Sequence, residues 1–132
     1  MIEKISVRTH GREEVIDITE TVENIISKSK VASGYCIIYV PHTTAAITIN
    51  ENADPAVKRD VLKILDKLIP QNGDYEHFEG NSPAHIKSIL TGISQMILIE
   101  NGKLKLGTWQ GIYLCEYDGP RSRSVLIKII ST

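Results

Sequence analysis

The sequence predicts an α+β fold: a largely antiparallel, distorted β-sandwich of about eight strands with about three flanking helices. Three observations predict it. Short runs rich in β-branched residues recur along the chain, and hairpin signals join several of them. Three segments carry apolar residues at helical spacing, two of them behind an Asp-Pro or Ser-Pro start. Strands and helices interleave irregularly, without the βαβ alternation that a doubly wound parallel sheet requires.

Taken in order, Ile2, Ile5 and Val7 lie near a strand period. His10-Gly11 reads as a turn and Glu14–Ile18 as a return strand. Val22, Ile25 and Ile26 have helical spacing, with Thr19 or Thr21 as the cap and Gly34 as the stop. Tyr35–Val40 is a continuous apolar run of strand length, interrupted by Pro41-His42-Thr43-Thr44 and resumed at Ala45–Asn50. Asp54-Pro55 opens the clearest helix, since Asp caps well and Pro suits the first helical position. Its apolar stripe is Val57, Val61, Ile64, Leu65 and Leu68, and Pro70 ends it. Ser82-Pro83 repeats the start signal, and Ile86, Ile89, Leu90 and Ile93 make a second stripe. Gln95–Glu100 and Lys103–Leu106 flank Asn101-Gly102, the preferred hairpin turn. Thr108–Tyr117 and Ser124–Ile130 read as two further strands, with a turn at Asp118-Gly119-Pro120.

The chain has 132 residues, which suits a single domain spanning 1–132 with no repeat or linker. A hydrophobic share of 42% beside 23% charged residues is that of a globular protein rather than a disordered one. The formal net charge of −1 gives no electrostatic case for nucleic acid, which needs a basic excess or stripe. No run approaches the ~18 apolar residues of a membrane span, and the N-terminal segment lacks the apolar core of a signal peptide. A cytoplasmic protein with no membrane partner is therefore expected. Cys36 and Cys115 both lie in apolar runs and read as small buried hydrophobes.

The residues suited to chemistry collect in the polar breaks. His42 sits at a strand interruption beside Thr43 and Thr44, His77 lies in Glu76–Asn81, and His85 falls in the first turn after Ser82-Pro83. The positive end of the helix dipole favours a neutral ring at His85, and a metal ligand or acceptor needs that form. The spacing is not that of a compact ligand motif, so the three histidines need the fold to bring them together. A lone loop histidine more often has no such role. Among the acids, Glu51 follows a strand and Glu79 precedes Gly80-Asn81, where no local structure needs a carboxylate. Asp54 and Asp118 are available acids as well, with a helix cap and a turn residue as the plainer readings. Arg121 and Arg123 stand two apart at a strand start, which predicts one shared face, and a guanidinium fork matches phosphate or carboxylate. The alternative is a solvated edge that discourages sheet pairing. Trp109-Gln110 holds the one Trp, either a core anchor or a platform for a flat ligand.

These pieces are His42-Thr43-Thr44-Ala45-Ala46, Asn50-Glu51 with Asp54-Pro55, His77 with Glu79-Gly80-Asn81, His85, the run Leu104–Gln110, and Glu116 with Asp118-Gly119-Pro120-Arg121. In this order, and over essentially the whole length, the sequence resembles the YjbQ-like family (UPF0047), also described as secondary thiamine-phosphate synthase enzymes. The resemblance implies a compact antiparallel sandwich with flanking helices, a homotrimer, and a site near a subunit boundary. It also implies a side activity joining a pyrimidine methyl pyrophosphate to a thiazole phosphate. Such a site needs charge neutralisation of the leaving group, by Mg²⁺ on carboxylates or by arginine.

The expected function is an enzyme acting on a phosphorylated small molecule. Glu51, Glu79 and Arg121 would be its catalytic groups. Thr43, Thr44, Asn81, Trp109, Gln110, Arg121 and Arg123 would bind ligand or phosphate. His42, His77 and His85 would hold zinc or another divalent metal, or act as acid–base groups. The competing expectation is a non-catalytic trimeric module that binds a phosphorylated metabolite.

Overall fold

Alternate residues of six strands point into one interior. Ile5, Cys36, Ile38, Val40, Ile97, Ile99, Val125 and Ile127 come from one sheet and meet Ala45, Ile47, Ile112 and Leu114 of another, all buried. The structure, a computed structural model, describes Met1–Thr132. Its elements are β1 (Ile2–Arg8), β2 (Glu14–Asp17), α1 (Thr19–Ser29), β3 (Ser33–Tyr39), β4 (Ala45–Glu51), α2 (Pro55–Leu68), α3 (Ser82–Thr91), β5 (Ser94–Glu100), β6 (Lys103–Leu104), β7 (Gln110–Glu116) and β8 (Ser122–Ser131). The α+β expectation of eight strands and three helices holds. A five-stranded sheet runs β1-β8-β3-β5-β6 and a three-stranded sheet β2-β7-β4, with every pair antiparallel. Helix α1 adds Val22 and Ile26 to the core between the sheets. Helices α2 and α3 lie on the other side of the small sheet. There Ala84 packs with Ala46, Cys115 and Tyr117, and Leu62 and Leu65 lean on that cluster.

Local signals placed several elements correctly. Asp54 caps α2, its Oδ1 accepting from Ala56 N at 2.9 Å. Asn101 (φ 54°) and Gly102 (φ 76°) form the β5–β6 turn in the left-handed conformation that such tight hairpins demand. Cys36 and Cys115 are free and buried, and burial pushes the Cys115 thiol up to about 11.

Other expectations need correction. The β1 and β2 strands are not a hairpin: β1 pairs with β8 in the large sheet and β2 with β7 in the small one. Helix α1 is capped by neither Thr19 nor Thr21; Asp17 Oδ1 accepts from Thr19 N and from its hydroxyl. Its end is Lys30 in the left-handed conformation, not Gly34. Gly34 belongs to β3, where a Cβ would stand 2.0 Å from Ile130 O. The cap of α3 is Asn81, so His85 is the fourth helical residue, at the end of the first turn.

Much of the two apolar stripes faces outward, although Leu65 of α2 turns inward. In α2, Val61, Ile64 and Leu68 are 44–70% exposed. In α3 the buried face is Pro83, Ala84, Lys87 and Ser88, while Ile89 and Leu90 are exposed. Small residues let α3 approach β4 closely enough for Ser88 Oγ to donate to Ala45 O at 2.7 Å. Lys87 Nζ is satisfied by Glu13 at 2.6 Å and Asp66 at 2.5 Å, which ties α3 to α2 and to the β1–β2 connection. On the outer face of the large sheet, Ile37, Tyr39, Met96 and Leu98 are exposed as well. No helix is long and apolar enough to cross a membrane.

Candidate functional site

Three connections carry the chain from one sheet to the other at the same end of the sandwich: Thr9–Glu13, Val40–Thr44 and Tyr117–Arg121. A buried network joins them. Glu116, at the end of β7, accepts from Arg123 Nε at 2.8 Å, from Arg123 Nη2, from the Thr9 hydroxyl at 2.7 Å and from Asp118 N at 3.0 Å. Arg123 Nη2 also donates to Thr44 Oγ1 at 2.8 Å and Thr44 O at 3.1 Å. Burial pushes the Glu116 carboxyl up. The Arg123 guanidinium, the Asp118 N–H and the Thr9 hydroxyl outweigh it and hold the group below the usual carboxylate range. Arg123 and Thr44 thus form a rigid floor, with most of their polar atoms already engaged.

On this floor lies a cleft of about 390 Å³ lined by His42, Thr43, Thr44, His77, Glu79, Asn81, His85, Asp118, Arg121 and Arg123. Four separate segments thereby meet, within the size range of small-molecule pockets. His42 has its Nε2 filled, because Ser124 N donates to it at 2.9 Å. A ring that accepts at Nε2 is neutral and carries its proton on Nδ1. Burial, and then the nearby Arg123 charge, hold His42 below the usual imidazole range, while Glu116 pulls the other way. His77 and His85 pack edge to face with ring centroids 5.3 Å apart. His77 Nε2 is 4.0 Å from Glu79 Oε1, with both side chains open to solvent. Arg121 grips its own turn, donating from Nε to Asp118 O at 2.7 Å and from Nη2 to Asp118 Oδ2 at 3.0 Å. Asn81 Nδ2 donates to the same Asp118 oxygen at 2.8 Å. A second, mainly apolar hollow of about 370 Å³ adjoins at His42, Thr43 and His85 and continues along Ser88, Ile89, Gly92 and Ile93.

The fold therefore gathers His42, His77, His85, Thr43, Thr44, Glu79, Asn81, Arg121 and Arg123 and leaves out three other candidates. Glu51, Trp109 and Gln110 sit together at the far end of the small sheet, where Glu51 is paired with Gln110. Strand β4 runs away from His42, and its six steps from Ala45 to Glu51 cover ~20 Å. There Glu51 Oε2 accepts from Ala53 N and Gln110 Oε1 from Gly107 N, so both serve local turns, and Trp109 is exposed. Arg121 and Arg123 do not share the strand face expected of them. Arg121 lies in the turn before β8 and is exposed, whereas Arg123 is buried. The three histidines do not fit a three-ligand zinc site. No three His, Cys, Asp or Glu groups come within reach of one ion, and the Nε2 lone pair of His42 is taken. Sequence reasoning missed Thr9, because its partner Glu116 is 107 residues away. Asp118, left out of the candidate site residues, enters it through the local charge pair with Arg121.

Comparison with known proteins places the sequence and the fold. The model of the family described as "UPF0047 protein YjbQ-like" matches residues 3–132. A UPF0047 protein of Methanocaldococcus jannaschii is 57% identical over 130 residues, covering 98% of this chain and 94% of that one. The UPF0047 protein YugU of Bacillus subtilis is 50% identical, covering 98% and 99%. A crystal structure of a YjbQ/UPF0047 family protein from Clostridium acetobutylicum superposes with a TM-score of 0.95 at 58% identity, covering 97% and 99%. A YjbQ-like protein of unknown function from Sulfolobus solfataricus gives 0.96 at 34% identity, covering 100% and 97%. With its two-sheet sandwich and this agreement along nearly the whole chain, the protein belongs to the YjbQ-like UPF0047 family.

Proposed function

We propose that the protein is an enzyme acting on a phosphorylated small molecule in the cleft between His42 and Arg121. The observation that carries this reading is the donor set on one side of the cleft. Nη1 of Arg121 and Nη1 of Arg123 are not used by the internal bonds that fix each guanidinium, and His42 turns out a proton on Nδ1. Donors held in place before the ligand arrives suit a phosphate whose charge grows as a bond breaks. His77 and His85, with Glu79 beside them, would supply the acid–base steps. Thiamine-phosphate synthesis is one reaction of this class: a pyrimidine methyl pyrophosphate is joined to a thiazole phosphate and pyrophosphate leaves. Mg²⁺ carried in by the pyrophosphate would meet the Glu79 and Asp118 carboxylates. Zinc or another divalent metal has a weaker case, because only His77 and His85 have both ring nitrogens free of the bonds described above.

The decisive experiment uses untagged protein, with and without Mg²⁺. It would follow release of pyrophosphate or phosphate from the thiamine precursors and from a panel of phosphate esters, alongside bound-metal analysis. Turnover that falls at least ~100-fold in His77→Ala and Arg121→Ala variants is expected. Turnover unchanged in both variants refutes the site assignment.

A second reading has its own support. His77 and Glu79 are 43% and 72% exposed, and a single chain offers nothing to keep water from them. A homotrimer that only binds its ligand would need no such exclusion. We propose the homotrimer on either reading, because the exposed stripes of α2 and α3 and the apolar outer face of the large sheet need cover. Light scattering of Val61→Lys/Ile64→Lys and of Met96→Lys should show loss of the trimer in at least one. A monomeric parent protein refutes it.

A further inference from the structure

We infer that the site takes a phosphate monoester whose alcohol half is a compact apolar group, a single ring or a branched chain, seated in the hollow beside α3. This rests on the reading just given that the cleft holds a phosphate, and it names the ligand class. The observation behind it is that two unlike spaces share one wall. His42, Thr43 and His85 line both the polar cleft and the hollow of about 370 Å³. On the cleft side of these three stand Glu79, Asn81, Asp118, Arg121 and Arg123. On the other side stand Ser88, Ile89, Gly92 and Ile93. A phosphate held by the His42 Nδ1 proton therefore lies beside the hollow, and its ester substituent has a space to enter.

The hollow has little to offer a polar substituent. Beyond the shared wall its one side-chain polar group is the Ser88 hydroxyl, which is buried and donates to Ala45 O at 2.7 Å. Gly92 is engaged in both directions: its N–H donates to Ser88 O at 2.8 Å and its carbonyl accepts from Ile47 N at 3.0 Å. A hydroxyl or ammonium placed there would give up water without gaining a partner, which is costly. Sugar and polyol phosphates are disfavoured for that reason. An apolar group instead covers Ile89 and Ile93, both exposed in the chain alone. The hollow is also held in shape. Val40 N donates to Ile93 O at 2.8 Å, which pins the approach to β5 beside the segment that carries His42. Gly92, at φ +98°, ends α3 in a conformation that L side chains rarely adopt, and it puts no side chain over the space. A side chain of a second copy would cover the hollow without using the shared wall, whereas an ester joins the two spaces through it.

The test compares benzyl phosphate, methyl phosphate and inorganic phosphate by calorimetry on the full chain, in one buffer of neutral pH. Benzyl phosphate is expected to bind at least ~10-fold more tightly than methyl phosphate, with a more negative heat capacity of binding. Ile93→Ser should shrink that preference to ~3-fold or less while leaving inorganic phosphate binding within ~2-fold, and Ile89→Ser should lower it in the same direction. Equal binding of the two esters to the unmodified protein overturns this inference alone, and is the result if a second copy fills the hollow. No binding of any of the three at millimolar concentration overturns the phosphate reading of the cleft, and this inference with it. A preference that survives intact in both serine variants overturns the assignment to this hollow.

Discussion

Arg121 and Arg123 stand two residues apart, yet their removal should differ in cost severalfold. In Arg123→Met the Glu116 carboxylate, with no solvent exposure, loses both guanidinium donors and keeps only Thr9 and Asp118 N–H. Hydrogen bonds to charged groups contribute ~1.5–3 kcal/mol each, so two of them set a loss of ~3–6 kcal/mol. This overlaps the ~3–5 kcal/mol found when one member of a buried pair is removed. Arg121→Met breaks a half-exposed contact to Asp118 and should cost ~0–1 kcal/mol. In urea, with a slope of ~2 kcal/mol per molar, the midpoint should fall by about 2 M for the first variant and under about 0.5 M for the second. The measurement belongs at one fixed protein concentration, because assembly stabilises by mass action. Adding Glu116→Gln to Arg123→Met should recover a large part of the loss, since the uncompensated charge goes with it. Equal losses in the two arginine variants, or under ~1 kcal/mol for Arg123→Met, would refute the claim that the buried Glu116–Arg123 pair holds the floor of the site in place.

Further outcomes follow from the same structure. Glu116 and Asp66 both have lowered native pKa values, so the unfolded chain binds their protons first as pH falls; the share of stability these two carboxylates contribute should hold down to about pH 5 and then be lost through the acid range, read as Tm against pH. His42 is lowered from 6.5, so the unfolded ring charges first; part of the stability should be lost below about pH 6.5, and His42→Gln should flatten the slope between about pH 6.5 and 5. Asp54→Ala removes the α2 cap and should cost about 1 kcal/mol in thermal or urea unfolding. Gly34→Ala places a Cβ on Ile130 O at a φ of +152° and should cost well over ~1 kcal/mol, whereas Gly102→Ala meets open space and pays only for its φ.

The elements were legible where a local signal sufficed. Asp54-Pro55 and Asn101-Gly102 act within a few residues of themselves, and the continuous apolar run Tyr35–Val40 marks its strand by length alone. Partner choice was not legible. His10-Gly11 looks like a hairpin turn, but nothing nearby says that β1 and β2 leave for different sheets. Periodicity shows which residues of α2 and α3 share a face, not which face is buried, and small Ala84 and Ser88 won the inner side of α3. Alternation failed for Arg121 and Arg123 because the strand begins at Ser122, which leaves Arg121 outside the pleat. The tautomer of His42 was beyond sequence altogether, since its partner Ser124 is 82 residues away.

The network under the cleft has a kinetic meaning as well. Its bonds join Thr9 to Glu116 and Thr44 to Arg123 across 107 and 79 residues, with the first and last strands of the large sheet paired beside them. Contacts of such long sequence separation form only after the intervening chain has been ordered, so the cleft should be among the last features to appear in folding. Nor can it open by fraying of a terminus, because every connection that builds it is held by another. The amides of Asp118, Arg121 and Ser124, each bonded into this network, should then exchange with solvent only through global unfolding. A ligand seated in the cleft would slow exchange throughout the sandwich rather than near itself alone.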